Sequence, residues 1–180
     1  MRARLRLFLS VRGFDEAAPS AYAQALRANH IPYGFAPVAE RLLNRPPKWA
    51  DYVERLRRML PEAELTVWTY ERYASDAAGV MAAYCGFDPG PLALSVRPES
   101  TLTPPAAAVA EAERIDPGLP MGERQRIVAA IYTEHAARGG EKYNPLSAEQ
   151  RACLRAAYLA DLDRLLGLLA PGSLLEAPRP

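Results

Sequence analysis

Arg4-Leu5-Arg6-Leu7-Phe8-Leu9-Ser10-Val11-Arg12-Gly13-Phe14 opens the chain and runs directly into Asp15 to Leu26, which includes Ser20 and Tyr22. Leu5, Leu7, Leu9 and Val11 fall on one face, and that period of two marks a strand. Phe8 breaks the opposite polar face, so the strand is predicted to be buried on both sides. Gly13 makes a tight exit. Residues Ala17 to Asn29 then read as a helix, with Pro19 placed in the first turn, where its missing N–H removes no bond. Strand, turn and helix in that order predict an α/β fold. Arg12 falls at the carboxyl end of the strand, the side on which α/β proteins bind ligands. Ser20 lies in the first turns of the helix, whose start offers unpaired N–H groups and a favourable dipole to an anion. An arginine supplies a forked donor that matches phosphate oxygens. Arg12 and Ser20 are therefore candidates for holding a phosphate. The plain alternatives are a solvated strand-end charge and an ordinary helix-start residue.

Working outward, Trp49, Tyr52, Val53, Leu56, Met59 and Leu60 recur at helical spacing, with Arg55, Arg57 and Arg58 turned outward. Glu64 to Thr69 is the second clear strand. Two strands joined through helices imply a parallel pair with a right-handed crossover, which sends Arg12 and Tyr70 out at the same edge. A short helix is predicted around Val38 to Leu43. Ser75 or Asp76 caps another through Tyr84, and Gly86 stops it. Phe87 to Pro105 reads as a Pro/Gly-rich loop, and Thr103-Pro104 as the opening of a helix to about Arg114. Gly122 to Arg138 presents Ile127, Val128, Ile131, Tyr132 and His135 on one face and ends at Gly139-Gly140. Ser147 with Gln150 forms a capping box. It starts the longest helix, predicted to bury Leu154, Tyr158, Leu162, Leu165, Leu166 and Leu169. The fold is expected to be α/β, mostly helical with a small parallel sheet. One domain spans 1–169, and 170–180 form a loose tail. Two strands make a poor sheet, so a missing segment or a partner is expected to cover the first one.

Composition narrows the function classes. The chain has 180 residues, is 49% hydrophobic and 24% charged, and carries a net charge of +1. Such a balance gives no bulk pull toward nucleic acid or a membrane surface. No apolar run approaches the length of a membrane span. Cys85 and Cys153 form neither a disulfide framework nor a zinc motif, which suits a cytoplasmic setting. His30 and His135 lack a second histidine or a carboxylate at ligand spacing, so no metal site is expected. A packed histidine is the default for His135.

The Arg12/Ser20 element resembles the 3′-phosphate-binding segment of sulfotransferases that use 3′-phosphoadenosine 5′-phosphosulfate (PAPS). There a hydrophobic strand ends in Arg, and a Ser eight residues later, often followed by an aromatic, completes the grip. Here Val11-Arg12 and Pro19-Ser20-Ala21-Tyr22 match. Trp49 to Val53, the strand ending in Thr69-Tyr70-Glu71, and Lys142-Tyr143-Asn144-Pro145-Leu146-Ser147-Ala148-Glu149-Gln150 with Tyr158 and Asp161 resemble later pieces of bacterial members. The resemblance runs from about Leu5 to Leu169. The fold it implies is that of the carboxyl-terminal two-thirds of a P-loop-like sulfotransferase domain.

The same resemblance implies PAPS as co-substrate and transfer of a sulfuryl group to a hydroxyl or amine of an unknown acceptor. It places Arg12 and Ser20 on the 3′-phosphate. It brings Tyr70 near the adenine in some members, although a core aromatic is the plainer reading. Glu71 is expected to order the loop rather than act as a base. Arg138, Gly140 and Lys142 resemble a late basic, glycine-containing loop that closes over the phosphate, with a helix C-cap as the alternative. Family members also carry a phosphate-binding loop and a base ahead of the Arg/Ser strand. This chain begins with that strand under way, and no Gly-rich loop followed by Lys and Ser/Thr occurs in its sequence. No catalytic residue is assigned. The second expectation is therefore an inactive sulfotransferase-like domain that binds a nucleotide weakly or mediates protein interactions.

Overall fold

The computed structural model describes residues 5–28, 34–87 and 103–175. His30 and most of the Pro/Gly-rich loop lie outside them. The fold is α/β, mostly helical, with a small parallel sheet. Strand β1 (Arg6–Val11) pairs in parallel with β2 (Glu64–Thr69), in a register that runs from Arg6↔Glu64 to Val11↔Thr69. A third strand, β3 (Leu174–Leu175), pairs in parallel with β2 through Val67↔Leu174 and Trp68↔Leu175. Part of the predicted loose tail is thus sheet. Two leucines carry no readable period, and the strand exists only because β2 offers it an edge. The Val67 N–H donates to the Ser173 carbonyl at 2.8 Å, and Gly172 turns the chain at φ 79°.

The chain divides into two compact units. One comprises Met1–Gly13, Pro47–Ser95 and Arg155–Pro180, and the other Phe14–Pro46 and Val96–Leu154. In the first, α3 (Trp49–Met59) and the later part of α8 (Ala148–Leu168) cover one sheet face. Its core is Val11, Ala50, Val53, Val67, Tyr158, Leu162 and Leu165, with Leu9, Leu65 and Leu174 packed against it. Leu166 does not join this core and is 46% exposed. One residue past Leu165, it is rotated by about 100° from the buried stripe. On the other face, the Phe8 ring meets Trp68 at 6.1 Å and Tyr84 of α5 (Ala77–Cys85) at 4.8 Å. The phenylalanine in the otherwise polar face therefore has its own aromatic neighbours. Asp76 caps α5 by accepting from the Gly79 N–H at 2.8 Å, and Gly86 closes it at φ 77°.

The second unit is helical. It contains α1 (Phe14–Arg27), α2 (Ala36–Asn44), α6 (Ala106–Ala112), α7 (Met121–Arg138) and the start of α8. Ala18, Tyr22, Leu26, Phe35, Val109, Val128, Ile131, Tyr132, Leu146 and Leu154 form its core. Helix α1 begins three residues earlier than predicted, so Pro19 falls in the second turn, where a missing N–H does matter. The carbonyl that would have received it is that of Asp15, and Asn144 Nδ2 donates to it at 3.1 Å. Helix α6 starts at Ala106, not at Pro104. A residue preceding proline is biased to extended geometry, and Pro105 holds Pro104 out of the helix. On α7, Ile127 lies at the surface while Arg124 takes a position on the buried stripe at 6% exposure. The Ser147/Gln150 capping box forms as predicted, with Ser147 N–H to Gln150 Oε1 at 2.9 Å and Gln150 N–H to Ser147 Oγ at 3.1 Å.

Candidate functional site

The parallel register decides what meets at the carboxyl edge of the sheet. Because β1 and β2 finish together at Val11↔Thr69, Arg12 and Tyr70 leave at the same edge. The Arg12 guanidinium carbon sits 4.2 Å from the centroid of the Tyr70 ring, a cation–π contact of roughly 0.5–1 kcal/mol at a partly exposed site. Tyr70 is placed by a short helix that the sequence reading missed, α4 (Tyr70–Ser75). Thr69 is extended, and its Oγ1 accepts the Arg72 N–H at 3.1 Å. That N-cap turns the chain as soon as the strand ends. A Thr at the strand end was the available signal, but six residues are under two helical turns, too few for a repeating apolar stripe.

Two further anchors fix this edge. The Trp49 indole Nε1–H donates to the Arg12 carbonyl at 3.0 Å. Trp49 is the first residue of α3, and its backbone N–H and that of Ala50 donate to Asp161 Oδ2 at 2.5 and 3.2 Å. Lys48 makes no side-chain cap, so the carboxylate that satisfies this helix start comes from α8. Glu71, beside Tyr70, is held by Arg155 Nη1 at 2.6 Å and Tyr158 OH at 3.3 Å. A carboxylate fixed in this way orders the start of α4. The arrangement presents a guanidinium braced on an aromatic face at the carboxyl edge of a parallel sheet. Stacking uses the face of the guanidinium and anion recognition uses its in-plane N–H groups, so one side chain can do both.

The remaining predicted residues belong to the second unit. Ser20 is the seventh residue of α1, beyond the four N–H groups left unpaired at a helix start. Only its hydroxyl can be offered to a ligand. The first turn of α1 carries Asp15 and Glu16, which already complement the dipole and disfavour an anion there. Arg138 pairs with Glu134 one turn back on the exposed side of α7. Gly139 and Gly140 adopt φ 73° and 138° and end that helix. A side chain at Gly140 would also approach Pro105 Cβ to 3.4 Å. The backbone of Lys142 bridges antiparallel to Pro105. Gly139 is the C-cap of α7, while Lys142 lies four residues beyond Arg138, against Pro105.

His135 has a carboxylate neighbour after all. Its Nε2 lies 2.8 Å from Glu111 Oε2 on α6, a pairing between helices that residue spacing within one helix cannot reveal. The unit also buries two phenols, Tyr22 and Tyr132, and partly buries a third, Tyr143. Burial pushes the Tyr22 hydroxyl pKa well above its ordinary value, helped by its hydrogen bond to Glu113 Oε1 at 2.5 Å. Burial raises Tyr132 to about 12, with the Glu113 charge adding, and raises Tyr143 further still. Tyr132 OH donates to the Ala23 carbonyl at 3.0 Å.

Among the described residues, no three or more His, Cys, Asp or Glu side chains are grouped to hold a metal ion. Among them, too, no helix is long and apolar enough to cross a membrane. No protein-family model, curated protein or solved structure matches this chain, so its functional reading rests on its own residues.

Proposed function

We propose that this chain is a sulfotransferase-like nucleotide-binding module whose Arg12 takes the 3′-phosphate of a PAPS-type co-substrate. The observation that carries the reading is the Arg12–Tyr70 stack at the carboxyl edge of the β1/β2 pair, at 4.2 Å. Edges of this kind bind ligands because strand ends and helix starts converge there. The stacked guanidinium is oriented before a ligand arrives, which lowers the ordering cost of binding.

The residues present fit one end of PAPS. Arg12 supplies the charge for a 3′-phosphate, and the exposed Tyr70 ring lies beside it. The 5′-phosphosulfate end finds no Gly-rich loop with Lys and Ser/Thr in this sequence. When bound to a complete site, PAPS supplies a transferable sulfuryl group to a hydroxyl or amine acceptor. The part assigned to this chain is to bind and orient the nucleotide, and the reading for the 180 residues on their own is binding without turnover.

Calorimetric titration with adenosine 3′,5′-bisphosphate tests this. A hydrogen bond to a charged group contributes about 1.5–3 kcal/mol, so Arg12→Ala should weaken binding roughly 10- to 150-fold. Equal affinity in the two proteins, or no binding by the unaltered chain, overturns the proposal.

A further inference from the structure

We infer that Trp49 and Asp161 act in series as positioning residues for Arg12. The inference rests on the reading of Arg12 as the phosphate ligand and adds the residues that aim it. The β1/β2 ladder ends at Val11↔Thr69, so the next peptide has left the sheet. Its carbonyl is held by the Trp49 indole at 3.0 Å. Holding that peptide fixes the direction in which the Arg12 side chain departs, and hence its stack on Tyr70.

Trp49 can serve as an anchor only if the start of α3 is itself immobile. Asp161 provides this. It is 4% exposed and accepts two backbone N–H groups of the first turn through one carboxylate oxygen. Its other oxygen lies 3.6 Å from Arg164 Nη1, while Arg164 Nη2 bonds Asp51 Oδ1 at 3.0 Å. Asp51 belongs to the same first turn of α3. The helix start is therefore clamped twice from α8, once directly and once through Arg164. A carboxylate suits this place because the helix dipole favours negative charge at the amino terminus. The line of action runs from Asp161 to the α3 backbone, to the Trp49 indole, to the Arg12 peptide, and ends at the guanidinium.

The discriminating readout is the ratio of affinities for adenosine 3′,5′-bisphosphate and adenosine 5′-phosphate, since only the former carries the group assigned to Arg12. Trp49→Phe keeps an aromatic ring and removes the N–H. It should lower bisphosphate affinity about 2- to 12-fold, the equivalent of one neutral hydrogen bond, and leave the monophosphate unchanged. Asp161→Ala should lower the same ratio. Its effect should largely vanish in the Trp49→Phe background, because residues acting in series do not add.

If Arg12→Ala leaves both affinities unchanged, the phosphate reading fails, and the positioning claim with it. If Arg12→Ala weakens the bisphosphate but folded Trp49→Phe does not, positioning alone is overturned. It is equally overturned if Trp49→Phe weakens both nucleotides alike, which is the mark of a merely structural role. Fully additive effects of Trp49→Phe and Asp161→Ala remove Asp161 from the series. Should Trp49→Phe fail to fold, biosynthetic replacement of tryptophan by benzothienylalanine in a Trp68→Phe background removes the donor while keeping the shape, and the same ratio decides.

Discussion

Pro19 in the second turn of α1 creates a debt in the helix that Asn144 meets, and this pairing can be tested sharply. A proline inside a helix removes the bond to the carbonyl four residues back and crowds it, at a cost near 3 kcal/mol. Here that carbonyl belongs to Asp15, which is 8% exposed and receives Asn144 Nδ2–H at 3.1 Å. Asn144 Oδ1 also accepts the Leu146 N–H at 3.2 Å, which shapes the turn before α8. Asn144→Ala removes the amide that donates to the Asp15 carbonyl, in a place that water reaches poorly. An unsatisfied buried group costs about 1–3 kcal/mol, so a loss near 2 kcal/mol is expected. For a chain of this length that is a fall in Tm of roughly 4–8 °C.

The test is a double-mutant cycle. Pro19→Ala restores an N–H that bonds the Asp15 carbonyl directly, so Asn144→Ala should cost about 1 kcal/mol less in that background. Asn144→Asp keeps the acceptor for Leu146 but sets a carboxylate against the Asp15 carbonyl, so it should cost more than Asn144→Ala. Trp49 and Trp68 both belong to the first unit, so tryptophan fluorescence would report the wrong core. Near-UV circular dichroism of the tyrosines, or amide exchange along α1, reads the right one. Additivity within about 0.3 kcal/mol would refute the pairing of Pro19 with Asn144.

Alkaline stability follows from the buried phenols of Tyr22 and Tyr132 and the partly buried one of Tyr143. Tyr132 is raised from its ordinary 10.0 to about 12, and Tyr22 and Tyr143 higher still. The folded state holds these protons more tightly than the unfolded one, so the stabilisation is whole below pH 10 and is lost as pH rises through 12 and beyond. The slope is about 1.4 kcal/mol per phenol per pH unit. Absorbance at 295 nm should show these three titrating together with unfolding, and their independent titration near pH 10 in folded protein would count against the burial argument. Ser147→Ala should cost about 1 kcal/mol, and Gln150→Ala should add little to it, because the reciprocal bonds stand or fall together. Urea unfolding of the single and double variants measures this.

What was legible in the sequence is what is decided over a few residues. Alternation at Leu5, Leu7, Leu9 and Val11 located β1, and Glu64 to Thr69 located β2 to the residue. Ser75 or Asp76 at one end and Gly86 at the other bracketed α5, where the cap is Asp76, and the Ser147/Gln150 box opened α8. Contacts between distant segments were not legible. Two leucines become β3 only beside β2. Asp161 caps a helix more than a hundred residues upstream. His135 finds Glu111 across two helices. Pro19 was misplaced because its defect is repaired by Asn144, a residue that no local rule connects to it.

The same distinction bears on the candidate site. An arginine and a serine eight residues apart suggested a phosphate grip, yet spacing alone says nothing about what fixes either side chain. Trp49 and Tyr70, both far along the chain, support Arg12, and the parallel register is what delivers Tyr70 to it. Ser20 falls in mid-helix behind an acidic first turn, so its share in any grip reduces to one hydroxyl. A hydroxyl offers an anion one donor and no charge of its own, whereas a guanidinium offers a full positive charge and several in-plane donors. Anion affinity should therefore follow substitutions at Arg12 and its supports far more closely than substitutions at Ser20.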